Sequence, residues 1–325
     1  MLNNGNYGNS GPSGGVTTAP FHHFSRLLVL GGLVITCAIG FYVVGYLVCN
    51  ALFGVQLGAD SVRRADTDAN VLNAMKLFQG IASIGTFLVP AYLFTKIFNL
   101  NFAATTRFNR GFTILALFLS MAVLLFASPL IGWMIEQNER LLLPDWLQGV
   151  QAWMKKLEDA NALLITTFLK MSGIGDLIFN LIIVALLPAL CEEVLFRGIL
   201  IPFFREWTGK THLAIWITAF LFSLIHMQFF GFLPRMMLGV LLGYLFIWSG
   251  SLWVPLIAHF INNGLAVLVS YLSEKPEMQG LEDVAVTSPW ILLGSAFVVS
   301  GILYLLHHYR VKQTVKFEAD QMVIP

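Results

Sequence analysis

Eight stretches of this sequence, 27–54, 71–95, 111–134, 175–203, 212–231, 233–249, 252–272 and 288–308, are apolar over roughly the 20 residues that a helix needs to cross a ~30 Å hydrocarbon core. Within a bilayer, backbone N–H and C=O groups have no water to bond. A stretch of this length must therefore satisfy them internally, as an α-helix. The expected fold class is all-α: a polytopic transmembrane helix bundle of about eight spans. Composition supports this, because 57% of the residues are hydrophobic and only 11% are charged, whereas about 25% are charged in soluble domains. A formal net charge of +1 with no long basic run gives no footprint for nucleic acid.

The pattern divides the chain into six segments. Residues 1–20, rich in Gly, Asn and Ser and free of Lys and Arg, read as a disordered N-terminal tail rather than a signal peptide. Three transmembrane helices follow over 21–134, then an extramembrane connection over 135–174. That connection carries Trp146, Leu147, Val150, Trp153, Met154 and Leu157 at helical spacing, which predicts an interfacial amphipathic helix between spans three and four. Four spans over 175–272 hold most of the intramembrane polar residues, a last span occupies 273–310, and 311–325 is expected to be a tail. The charged stretch from Asp60 to Asp68 reads as a solvated loop. An even number of spans puts both termini on one side, with Arg26, Lys96, Arg107, Arg110, Arg205, Lys210, Arg310, Lys312 and Lys316. Since long loops count less in the positive-inside rule, both termini are expected in the cytoplasm, with the chain integral to a plasma or inner membrane. Cys37, Cys49 and Cys191 lie inside apolar blocks without CxxC spacing and read as small buried residues.

A charge at bilayer mid-depth costs about 2.5–3.5 kcal/mol on insertion scales, so ionisable residues in these spans should face the protein interior. The fourth span holds Glu192, Glu193 and Arg197. Glu193 and Arg197 stand at i,i+4, where helical side chains meet, so an ion pair can offset their burial. Glu192 lacks that partner, which suits general acid/base work; alternatively, all three form a structural cluster that locks helices together. Pro188 is expected to loosen the helix just before the pair. The fifth span places Phe222 and His226 on one face, and the seventh does the same for His259 and Asn263. A His and an amide together can hold a water or a developing oxyanion. Convergence of these groups in one cavity costs less than three separate buried sites. At 1.5 Å per residue, Glu192 and His259 lie roughly 10–17 Å from the cytoplasmic ends of their spans, but His226 lies about 20 Å along its own. The fifth helix is therefore expected to start deeper or to tilt. Lys76 and Gln79 read as residues snorkelling near the interface, and His307 with His308 as an interfacial cap.

In these residues the sequence resembles the CPBP family, which includes type II CAAX prenyl endopeptidases and Abi-type intramembrane proteases. The family signature of EExxxR, FxxxH and HxxxN or HxxxD is met by Glu192-Glu193-x-x-x-Arg197, Phe222-x-x-x-His226 and His259-x-x-x-Asn263, over about 175–272. The resemblance implies hydrolysis of peptide bonds in membrane-anchored or lipidated substrates. Glu192 and His226 would activate a water, His259 and Asn263 would stabilise the oxyanion, and Glu193, Arg197 and Phe222 would support the site. Two cofactor states stay open: none, or a zinc ion held by Glu192, His226 and His259, although HExxH is absent. The competing functions are a non-catalytic membrane scaffold or immunity-type protein, and a proton-coupled transporter with Glu192 as carrier. The transporter reading lacks the expected internal repeat.

Overall fold

The structure, a computed structural model, describes residues 20–140, 142–273 and 288–322. Of the tail expected over 1–20, residues 1–19 lie outside them, and Pro20 is the first residue of a helix. Nine principal helices are found among the described residues: α1 (Pro20–Phe53), α2 (Ala69–Ile97), α3 (Ile114–Glu139), α4 (Gln148–Phe168), α5 (Ile174–Thr208), α6 (Thr211–Leu224), α7 (Phe232–Ser249), α8 (Trp253–Ser273) and α9 (Pro289–Met322). Shorter helical turns occur at Ser61–Arg64, Phe102–Thr106 and Asp145–Leu147. No strand is present among the described residues.

Among the described residues, seven helices are long and apolar enough to cross a membrane. The difference from the expected eight lies in α6. Only Thr211–Leu224 is helical where 212–231 was expected to span, and 14 residues reach only about 21 Å. The chain turns after Leu224, where Met227 adopts φ 52° and the amides of His226 and Met227 bond back to Ser223 and Leu224. His226 therefore sits in a turn beyond the helix. At the other end of the chain, α9 continues to Met322, into the segment expected to be a tail.

Proline explains the irregular turns of the long helices. Pro90, Pro188 and Pro202 each follow a wide i→i+5 segment, at Ile84–Leu88, Leu181–Leu186 and Val194–Leu200 respectively. A proline lacks the N–H and its ring collides with the carbonyl four residues back, and widening the preceding turn relieves both problems. The expectation at Pro188 is met in this form. Glu192 and Glu193 thus stand on a short α-helical stretch between two widened segments.

α5 is the central helix, packed between α2, α6 and α8, while α7 packs on α6, α3 and α8, and α9 on α3 and α7. Two glycines let α6 and α7 approach. A Cβ on Gly239 would lie 3.1 Å from the Ala219 Cβ, and one on Gly243 would lie 2.8 Å from the Ile215 Cγ2. The core between these helices is aromatic, with Phe94, Phe196, Phe203, Phe222 and Phe246 buried. The outward faces are apolar as well; Ile35, Ile39, Val43, Phe118 and Phe297 are among the exposed residues. A surface of this kind requires lipid around it. Cys49 and Cys191 are buried as expected, whereas Cys37 on α1 is partly exposed.

α4 is the expected amphipathic helix, and Trp146, Val150 and Trp153 along its approach and first turns are exposed. Its C-terminal end is held by a residue that was expected to snorkel. Lys76 is 1% exposed and donates from Nζ to the Lys170 carbonyl at 3.1 Å, placing a cation beside the carbonyls at the end of α4. Asn180 donates to the Phe168 carbonyl at 2.9 Å, and Lys170 in turn pairs with Asp66 at 2.6 Å. Gln79 is exposed. The stretch from Asp60 to Asp68 is more than a solvated loop, because Asp68 also caps α2 by accepting from the amides of Asn70 and Val71.

Candidate active site

Glu193 is the hub of the polar cluster. Its Oε1 accepts from Arg197 Nη1 at 2.6 Å and from His259 Nδ1 at 2.8 Å. Glu193 and Arg197 are 0% and 1% exposed, so neither charge has bulk water to screen it, and each depends on the other. The helical i,i+4 spacing produces the first contact; packing of α8 against α5 produces the second. Arg197 is held further by Gly239, whose carbonyl accepts from Nη2 at 3.3 Å, and by the Phe222 ring, 4.6 Å from its guanidinium carbon.

The tautomers of both histidines follow from their partners. A carbonyl can only accept, so His226, with Nδ1 2.7 Å from the Phe222 carbonyl, donates from Nδ1 and keeps Nε2 as its free nitrogen. His259 donates from Nδ1 to Glu193 in the same way. That bond orients its Nε2, which lies 3.8 Å from Glu192 Oε2. Phe222 forms the wall between the two imidazoles, with ring centroids 5.1 Å from His226 and 6.0 Å from His259. Glu192, Glu193, Arg197, Phe222, His226 and His259 are thus brought together. Asn263 lies one turn beyond His259 on α8 and accepts from the Asn262 amide at 3.5 Å. The His307 and His308 pair stands elsewhere, His307 against Trp248 and His308 stacked on Tyr304.

The zinc arrangement can be tested on donor geometry. Among the described residues no group of three His, Cys, Asp or Glu side chains converges as a metal site. Glu192 and His259 approach each other at 3.8 Å, while the His226 Nδ1 bond to the Phe222 carbonyl leaves its Nε2 free. The side chains as they stand do not fit a zinc centre, and no chemical step below passes through one.

Three further residues shape the site. Arg235, in the first turns of α7, donates from Nη2 to Gln228 Oε1 and exerts its field on Glu192 and His226. Asn138, at the end of α3, pins the turn that carries His226: its amide donates to the Phe229 carbonyl at 2.9 Å and its oxygen accepts from the Leu233 amide at 3.4 Å. Trp153 of α4 packs on Phe229 from outside, with centroids 5.4 Å apart. A lone arginine inside the apolar 233–249 stretch was a readable signal for a functional residue. Nothing in the sequence ties Asn138 to a loop some 90 residues away.

Fold and site together define a polytopic membrane protein with a buried, charged, histidine-bearing site on its central helices. Residues 174–265 match the family described as "Type II CAAX prenyl endopeptidase Rce1-like". The match embraces every motif residue from Glu192 to Asn263. The chain is also similar to "Uncharacterized protein YpbD" of Bacillus subtilis (strain 168), 33% identical over 99 residues that cover 27% of this chain and 48% of that protein. The similarity thus spans about half the length of that relative. No solved structure matches the chain.

Proposed function

We propose that this protein is an intramembrane endopeptidase that hydrolyses a peptide bond of a membrane-anchored or lipidated substrate, with Glu192 as general base and His226 as its partner. The observation that carries the proposal is the division of labour between adjacent carboxylates. Glu193 Oε1 is engaged by both Arg197 and His259, whereas among the described residues Glu192 has the 3.8 Å approach of His259 Nε2 and stays available to a water.

Glu192 takes a proton from the water as its oxygen bonds to the scissile carbonyl carbon. The free Nε2 of His226 accepts a second hydrogen bond from that water and orients it. The carbonyl π pair moves onto oxygen. His259 and Asn263 stabilise the resulting oxyanion. Glu192 returns its proton to the amine nitrogen as the C–N bond breaks. Glu193 and Arg197 are positioning residues: they hold His259 and fasten α5 to α7 and α8.

The test is reconstitution in lipid vesicles with a panel of membrane-anchored peptides in ¹⁸O-labelled water, with products analysed by mass spectrometry. Hydrolysis predicts a new carboxyl terminus carrying the label. Absence of cleavage across the panel, with folded protein in the bilayer, would instead favour a scaffold.

A further inference from the structure

We propose that Arg235 is a further catalytic residue, whose Nη1–H donates to the oxyanion that forms on the scissile carbonyl; the inference rests on the protease reading above. Topology puts the residue at the right level. Tight connections join α5 to α6 and α6 to α7, so α5 and α7 run in the same direction as successive arms of two helical hairpins. Arg197 on α5 meets Gly239 on α7 through the 3.3 Å bond to its carbonyl. One turn toward the N-terminus from that contact lies Glu193 on α5 and, on the same face of α7, Arg235.

The side chain is held there. Nη2 is bonded to Gln228, and the guanidinium folds back over Gly231, lying 3.5–3.9 Å from where a Cβ at that position would be. Gln228 and Gly231 belong to the turn that carries His226. The other terminal nitrogen, Nη1, is buried and has no hydrogen-bond partner among the described residues. A buried guanidinium N–H without a partner costs free energy in the resting state. It is repaid when an anion forms beside it, which is the condition for preferential transition-state stabilisation. Electrons and protons balance as before: the carbonyl pair moves onto oxygen as water adds, Arg235 lends a hydrogen bond without losing its proton, and the pair returns when the C–N bond breaks.

One alternative is purely structural. Glu158 on α4 also has a buried oxygen, Oε2, without a partner, and it lies within the electrostatic reach of Arg235. If Arg235 served only to hold α4, neutralising either residue would have the same effect. The experiment therefore compares Arg235→Gln, Arg235→Lys and Glu158→Gln in proteoliposomes, measuring kcat and KM on a membrane-anchored peptide. Binding of the matching peptide phosphinate, whose tetrahedral anion mimics the intermediate, is measured in parallel.

Arg235→Gln is expected to lower kcat about 10²–10³-fold with KM within about threefold, and to weaken phosphinate binding by a similar factor. Arg235→Lys should recover part of each loss, while Glu158→Gln stays near wild type. The proposal is overturned if Arg235→Gln leaves kcat and phosphinate binding near wild type, or if Glu158→Gln reproduces its defect. Should Glu192→Gln abolish cleavage while Arg235→Gln does not, only this inference fails. Should the wild type neither cleave the peptide nor bind the phosphinate, the protease reading fails and takes this inference with it.

Discussion

Replacing Arg197 by methionine removes a buried cation that satisfies three neighbours at once: Glu193 at 2.6 Å, the Gly239 carbonyl at 3.3 Å and the Phe222 ring at 4.6 Å. Methionine approximates the volume of the side chain, so packing is largely retained and the change isolates the charge. What is left behind is Glu193 with no exposure to water, still bonded to His259. Breaking a buried pair by removing one member costs about 3–5 kcal/mol, because the remaining charge is uncompensated. The companion change Glu193→Leu orphans the Arg197 cation in turn, at a similar cost of about 3–5 kcal/mol, and also leaves the His259 Nδ1–H without its acceptor, a further cost of about 1–3 kcal/mol. In the double variant the orphaned charge is gone and only the histidine penalty persists. Its loss should therefore fall short of the sum of the two single losses by at least about 2 kcal/mol. Equilibrium unfolding in bicelles, followed by steric trapping or by titration with a denaturing detergent, measures all four corners of this cycle. A cost below about 1 kcal/mol for Arg197→Met, or simple additivity in the double variant, would refute the placement of Glu193 and Arg197 as one dry ion pair.

His226→Ala, which leaves the Phe222 wall in place, should lower the cleavage rate about 10²–10⁴-fold without shifting the unfolding midpoint. Gly243→Val forces a side chain into the space 2.8 Å from Ile215 and should destabilise the α6–α7 contact by about 1–3 kcal/mol, read in the same unfolding assay. Lys76→Met removes the donor to the Lys170 carbonyl and should raise hydrogen exchange at the C-terminal end of α4, with the core of α5 unaffected. Because no step in the mechanism uses a metal, treatment with a strong chelator should leave cleavage unchanged; loss of activity restored by added zinc would contradict that mechanism.

Much of this arrangement was legible in the sequence, where the physics is local. Segment length against bilayer thickness located the spans, and helical periodicity predicted that Glu193 would meet Arg197. The periodic stripe from Trp146 to Leu157 located α4. What was not legible depended on tertiary packing. His259 binds Glu193, 66 residues away, and this is what orients its ring and separates the tasks of the two glutamates. Lys76 resembles a snorkelling residue until the carbonyls at the end of α4 are placed above it. The fifth span misled because apolar composition runs on through Phe232. The helix nevertheless stops at Leu224, and the later Gly231 and Pro234 were the local signals that a turn intervened. Arg235 was readable as a charge in an apolar span, but its relation to His226 comes from the turn that bends back between α6 and α7.

The most direct test of the account is the cleavage rate of Glu192→Gln beside wild type in the same proteoliposomes, with folding of both checked by their unfolding midpoints. Glutamine keeps the shape of the side chain and removes its capacity to take a proton from water. The account predicts a folded protein without measurable cleavage. Cleavage by Glu192→Gln at the wild-type rate would contradict it.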